Sequence, residues 1–284
     1  MGQQSYILNL SCPDTVGIVA AVAGFLAEQR CFIEESSHFG DAGTQHFFMR
    51  TQFTAPDDLE LATFKQRFSE LAQAFSMHWD CFRSADRVRA IVMASKQDHC
   101  IHDLLYRVEA GLLNMDIVAV VSNHREVESL CQWHRVPFHY VPVLPEKKSD
   151  AEAELSQLFD STSAELIILA RYMQILSADF CRAHPGQIIN IHHSFLPGFK
   201  GAQPYHRAYE RGVKLIGATA HYVTADLDEG PIIEQQVERV SHANSVKQLV
   251  AIGQDVEKLT LYQAVRYHVQ RRVLLNGSKT VVFR

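Results

Sequence analysis

Apolar positions recur along the first part of the chain with two alternating periods, and their order predicts an architecture. Tyr6 to Leu10 reads as a strand, and Val16, Val19, Val22 and Leu26 then recur at helical spacing. Two more strand-like runs, around Cys31 to Phe39 and His46 to Phe53, flank Asp41-Ala42-Gly43-Thr44, which is hairpin-turn chemistry. Leu61, Phe64, Phe68, Leu71 and Phe75 step by three and four residues, and Met77, Trp79 and Cys81 alternate. The order βαββαβ predicts a ferredoxin-like split βαβ unit, a small sheet backed by two helices.

Beyond Ser84 the pattern changes to continuous apolar runs: Val88 to Ala94, Asp116 to Val121, Leu166 to Ala170 and Gln187 to Ile191. Such runs suit parallel strands buried on both faces. Helical patterns lie between them (Ile101, Leu104, Leu105, Val108; Leu155, Leu158, Phe159), so the second segment is an α/β domain with a mainly parallel, Rossmann-like sheet. Ligands in such sheets sit beyond the carboxyl ends of the strands. Leu215 to Thr224 and Pro231 to Val240 add two strands around the acidic turn Asp226 to Gly230, and a helix carrying Val246, Leu249, Val250, Val265 and Val269 is expected to close the chain. We therefore expect two domains, residues 1–85 and 86–284.

Composition narrows the partners. The 284 residues carry a formal net charge of -5, and ten of the 32 acids but only five of the 27 bases precede Asp86, leaving the second segment neutral. Neither a nucleic acid nor an anionic membrane surface is favoured. The longest uncharged apolar stretch, Val16 to Ala27, is too short for a membrane span, and the N-terminus lacks signal-peptide and myristoylation patterns, so a cytoplasmic protein is expected. The six cysteines stand singly, without C-x-x-C, and read as reduced core residues.

Polar residues concentrate at two places. Asn190-Ile191-His192-His193-Ser194 sits where an apolar strand ends, and side chains at i and i+2 project together, so Asn190 and His192 face the crevice. An amide donor for an oxyanion beside a proton-transferring imidazole suits acyl chemistry with water or an amine as nucleophile. A strand-capping Asn190 and a satisfied core His192 are the structural alternative. The second place is His221 to Pro231, where a carboxylate could orient water, although Asp, Glu, Gly and Pro also suit a solvated turn. His192 and His193 should point to opposite faces of their strand, which speaks against a shared metal. No G-x-S-x-G, P-loop or G-x-G-x-x-G appears, and the turn Ser95 to His99 after the Val88 strand has no glycine.

Taken together, Asn190 to Gly201, with His221 and Asp228 seven residues apart, resemble the folate-dependent formyltransferase superfamily over residues 86–284. The resemblance implies a catalytic triad of Asn190, His192 and Asp228 with His221 in support. It also implies a pterin pocket walled by Tyr172, Met173, Gln174, Ile175 and Leu176 and by Thr224, Ala225, Asp226 and Leu227. Asp14-Thr15-Val16-Gly17-Ile18 at the first strand-to-helix turn is similar to the ACT domain, which implies an amino-acid effector near Asp14 and Gly17 and pairing into a homo-oligomer. An ACT-like segment ahead of a formyltransferase-like one resembles the formyltetrahydrofolate deformylases across the whole chain.

Departures from the wider superfamily bear on the acceptor. Glycinamide ribonucleotide formyltransferases use a Gly-rich turn for the acceptor phosphate, which Ser95 to His99 does not offer, and methionyl-tRNA formyltransferases carry an extra basic domain. The resemblance thus implies hydrolysis of 10-formyltetrahydrofolate to formate and tetrahydrofolate, with no metal or redox cofactor, balancing the one-carbon folate pool and supplying formate for purine synthesis. Transfer of the formyl group to an unidentified amine is the alternative.

Overall fold

In a computed structural model, residues 4–144, 148–196 and 204–284 are described. The chain divides into two units, Met1–Asp86 with Gln270–Arg284, and Arg87–Val269. The second segment expected from the sequence, residues 86–284, therefore ends early, because the chain from Gln270 onward folds with the first unit.

The first unit runs β1 (Gln4–Pro13), α1 (Ile18–Glu28), β2 (Phe32–Asp41), β3 (His46–Ala55), α2 (Leu61–Ala74) and β4 (His78–Arg83). Its sheet has the order β2-β3-β1-β4 with every neighbouring pair antiparallel. The βαββαβ order and this strand sequence are those of a split βαβ unit. Gly17, at φ 101°, takes a left-handed turn that starts α1 at Ile18, two residues later than the apolar spacing from Val16 suggests. The buried face is consequently Ile18, Val22 and Leu26, whereas Val16 is 99% exposed and Val19 lies on the outside. From α2, Phe64 and Phe68 are fully buried, and Phe68 meets the Trp79 ring edge-on at 4.6 Å.

The helix expected to close the chain does not close it. After α8 (Val246–Val269), β12 (Val273–Asn276) and β13 (Lys279–Val282) form a hairpin, whose Leu274, Val281 and Phe283 bury Phe48 of β3. A charged clamp holds the hairpin: Arg272 donates to both Glu35 oxygens at 2.9 and 3.0 Å, the fully buried Arg50 donates to Glu35 at 3.1 Å, and Asn276 donates to Asp41. The hydrogen bond from Arg272 and the two guanidinium charges hold the Glu35 carboxyl below its ordinary 4.5. A carboxylate with a depressed folded value stabilises above its ordinary value and loses that contribution as pH falls through the folded one. We expect the protection of the hairpin amides, relative to intrinsic exchange at each pH, to weaken as pH falls below 4.5, and Glu35→Gln to show the weaker protection already at neutral pH.

The second unit holds a seven-stranded sheet in the order β11-β10-β9-β8-β5-β6-β7. Its strands are β5 (Val88–Ala94), β6 (Met115–Ser122), β7 (Phe138–Tyr140), β8 (Leu166–Leu169), β9 (Ile188–His192), β10 (Leu215–Tyr222) and β11 (Ile232–Arg239). From β5 to β9 all pairings are parallel, and β10 and β11 are added antiparallel. The fold is thus α/β with a mainly parallel central sheet. The chain builds outward from β5 to β6 and β7, then returns to β8 and β9 on the other side, so the carboxyl ends of β5 and β8 flank the switch point. The helices α3 (His99–Glu109), α4 (Glu128–Trp133), α5 (Lys148–Ser161), α6 (Ala178–Ala183) and α7 (Pro204–Arg211) connect the strands, and α8 packs on β9, β10, β11, α3 and α7. Among the described residues no helix is long and apolar enough to cross a membrane. The six cysteines are free thiols; burial pushes Cys81 up to about 12 and Cys31 and Cys131 up to about 11.

Candidate active site

Strand β9 is an isoleucine-rich run whose parity fixes the polar side chains at its end: Ile189 and Ile191 face one side, Asn190 and His192 the other. Antiparallel pairing with β10 sets His221 opposite Asn190 and Thr219 opposite His192, and directly paired residues share a face. Thr219 is fully buried; its hydroxyl donates to Ser194 O and accepts from Leu196 N, both at 3.0 Å, which pins the turn leaving the strand. A bulge at Ala220/His221 interrupts the pairing of β10 with β11 beside the imidazole.

Asp228 reaches the same spot from the turn between β10 and β11. Its backbone is left-handed, with φ 57°, a conformation Asp tolerates better than most residues. Gly230 lets the turn close on β10: a Cβ there would lie 1.7 Å from Tyr222 O and 3.3 Å from His221 Nδ1.

The resulting cluster is connected. His192 Nδ1 lies 3.3 Å from Asp228 Oδ1, and His221 Nε2 lies 3.8 Å from the same oxygen and 3.3 Å from Asn190 Nδ2. His221 Nδ1 donates to Tyr222 O at 2.9 Å. Burial pushes the His221 imidazole below its ordinary value, so it is neutral and its Nε2 lone pair must accept from the Asn190 amide. That fixes the amide with its nitrogen inward, leaving a second N–H to donate. The hydrogen bond from His192, with the neighbouring imidazoles, holds Asp228 below the ordinary carboxylate value. His192 is 7% exposed, and its Nε2 is buried without a hydrogen-bond partner among the described residues. Such a nitrogen is costly to leave unmade unless something else meets it.

One expectation is corrected here. His193 does not point away from His192: β9 ends at His192, the alternation lapses, and the two rings stack at 4.8 Å with 21° between their planes.

Tyr172 to Leu176 follow β8 at the switch point. Ser95 Oγ accepts from Met173 N at 3.1 Å and Glu152 accepts from Ser177 N at 2.6 Å, so the segment is anchored at both ends. Tyr172, Gln174, Ile175 and Leu176 line a narrow cleft of about 20 Å³ with Met93, Val121 and Leu155. Thr224 to Leu227 do not line that cleft, but Val223 just before them packs on the same core cluster as Tyr172 and Leu176. Met173, Ile175 and Leu227 each leave more than half of their surface exposed. Residues 197–201 of the motif read from the sequence lie outside the described residues. Asp14 and Gly17 sit in the first unit at the β1-to-α1 turn, where Asp14 N donates to Gln45 O.

Sequence reasoning gave no role of their own to Gln97, Glu257 and Thr219, nor to Arg171, which it read only as part of the loop from Ala170 to Leu176. Their partners lie far along the chain, and no local pattern marks them. Among the described residues, His99, Cys100 and Glu257 are the one group whose ligand atoms come within 4.8 Å of one another. Glu257 Oε2 already faces the Arg171 guanidinium at 3.4 Å, and a fixed cation there disfavours a metal ion.

The chain matches the Formyl transferase family model over residues 88–265. It is 46% identical, over 99% of both chains, to a formyltetrahydrofolate deformylase of Corynebacterium sp. (strain P-1). The crystal structure of a formyltetrahydrofolate deformylase from Burkholderia mallei superposes with a TM-score of 0.95 at 49% identity, covering 99% of this chain and 100% of that one. Glycinamide ribonucleotide transformylase 1 from Symbiobacterium toebii matches 72% of this chain and 97% of its own with a TM-score of 0.65 at 26% identity.

Proposed function

Because the chain belongs to the formyltetrahydrofolate deformylase family, we infer that it hydrolyses 10-formyltetrahydrofolate to formate and tetrahydrofolate at the cluster of Asn190, His192 and Asp228. The observation that carries the site assignment is the His192 ring, anchored through Nδ1 on Asp228 while Nε2 is buried and has no hydrogen-bond partner among the described residues. That is the arrangement of an imidazole oriented by a carboxylate and free to exchange a proton with substrate.

The reaction follows from these groups. Asp228 holds a water molecule and keeps the His192 ring in the tautomer with its proton on Nδ1. The water oxygen attacks the formyl carbon as His192 Nε2 takes one of its protons. Asn190 Nδ2–H donates to the oxyanion of the tetrahedral intermediate, held for that task by His221. His192 returns the proton to the folate nitrogen as the C–N bond breaks, and the acid proton of the formic acid leaves to solvent. Tyr172 to Leu176 and Thr224 to Leu227 wall the pterin, with the exposed apolar side chains of Met173, Ile175 and Leu227 offering contact area.

We assign the first unit the role of an ACT-like regulatory module binding an amino acid near Asp14 and Gly17, in a homo-oligomer. The formate produced would feed purine synthesis in the cytoplasm and rebalance free against formylated folate. The deciding experiment is formate release from 10-formyltetrahydrofolate by the purified protein with no acceptor and with chelator present. Rapid release, unaffected by the chelator, is expected. Loss of substrate only when an amine is added would replace hydrolysis by transfer.

A further inference from the structure

Glu257 lies in the middle of α8, 1% exposed, and gathers three separate segments of its unit. Its Oε1 accepts from the Tyr205 hydroxyl at 2.6 Å, and its Oε2 faces His99 Nε2 at 2.7 Å and Arg171 Nε at 3.4 Å. Gly253, one turn earlier on α8, admits Tyr205: a Cβ there would lie 2.2 Å from the phenol ring. Arg171 is itself buried and left-handed at φ 63°. Its Nε also donates to Gln97 Oε1 at 2.8 Å, and its Nη1 donates to His193 Nδ1 at 2.6 Å.

Arginine has no lone pair to offer, so His193 Nδ1 must be the acceptor and its ring proton sits on Nε2. The His193 ring in turn stacks on His192. A continuous chain of contacts therefore runs from Glu257 through Arg171 and His193 to the imidazole at the reacting centre.

A purely structural role does not explain this arrangement. A buried ion pair adds little stability over a well-packed apolar set. The folate-facing segment does not need it either, since Met173 and Ser177 are anchored by Ser95 and Glu152. We propose that Glu257 is a positioning residue of the hydrolysis: through Arg171 it fixes the tautomer and ring plane of His193, and thereby the plane in which His192 presents Nε2 to substrate. The proposal rests on the assignment of His192 made above.

The test is Glu257→Gln, which keeps shape and removes the charge, read as kcat and KM for 10-formyltetrahydrofolate together with Tm. A misplacement of the ring by a fraction of an ångström should lower kcat by about tenfold or more, with KM within about twofold because the pocket has its own anchors. His193→Ala should give a comparable loss, and the double variant should lose no more than the worse single one, since both act on one path. Arg171→Lys keeps the charge on a single nitrogen that cannot serve Glu257, Gln97 and His193 together, so it should show the same kcat-only loss; it decides the matter if Glu257→Gln fails to fold. Wild-type kcat in folded Glu257→Gln, a KM rise matching the kcat loss, or multiplying losses in the double variant would overturn the proposal. With Asp228→Asn inactive in parallel, such a result removes only the positioning role. An active Asp228→Asn removes the site assignment itself.

Discussion

Asp228→Asn is expected to lower kcat for formate release by about 10³-fold, roughly 4 kcal/mol of transition-state stabilisation, with KM changed by no more than a few-fold. The substitution isolates charge from shape. Asn occupies the left-handed region at least as readily as Asp, so the φ of 57° at residue 228 carries no new penalty. What disappears is the carboxylate that faces His192 Nδ1 at 3.3 Å and His221 Nε2 at 3.8 Å. An amide can present its nitrogen to the ring, and His192 would then be driven to the tautomer with its proton on Nε2, unable to take one from water. A charged His192 would also lose its counter-ion. The measurement is single-turnover formate release at saturating substrate, with Tm as the check on folding. Turnover within a few-fold of wild type would show that no carboxylate is needed and would dismantle the site.

Local parity explains why part of this site was legible in the sequence. Asn190 and His192 share a face because a strand alternates, and that needs no knowledge of the rest of the fold. The pairing of His221 with Asn190 depends on the register of β10 against β9, and residues 31 apart carry no mark of it. His193 escaped for a related reason: parity holds only while the strand lasts, and β9 stops at His192. In the first unit the apolar residues gave the right elements but the wrong helix phase. Gly17 delays α1, so Val16 and Val19, apolar and correctly spaced, fall outside the core. Its C-terminal hairpin was invisible because the closing contacts of Arg272 with Glu35 join residues 237 apart. Glu257 reads locally as one more polar position on a long helix, and only the arrival of His99, Arg171 and Tyr205 from elsewhere gives it a role.

Gly230→Ala should nearly abolish activity although residue 230 contributes no side chain to the chemistry. A Cβ placed 1.7 Å from Tyr222 O cannot be accommodated without moving backbone on one side or the other. If β10 yields, Tyr222 O leaves His221 Nδ1, the bond of 2.9 Å that fixes the tautomer of His221 is lost, and with it the orientation of the Asn190 amide. If the turn yields, Asp228 moves, two residues away on the same short connection, and His192 loses its partner. Either displacement of about 1 Å is worth roughly 10²-fold in rate, and because both halves of the site depend on this contact the expected loss in kcat is at least that. Backbone strain of this kind should also lower stability by about 1–3 kcal/mol, read as a fall in Tm. Gly24→Ala is the matched control: it lies inside α1 with nothing within 4 Å of the added methyl, so it should be neutral or stabilise by about 0.5–1 kcal/mol with unchanged turnover. If Gly230→Ala kept its activity, the close seating of the acidic turn on β10 would not be what holds Asp228 to the histidines.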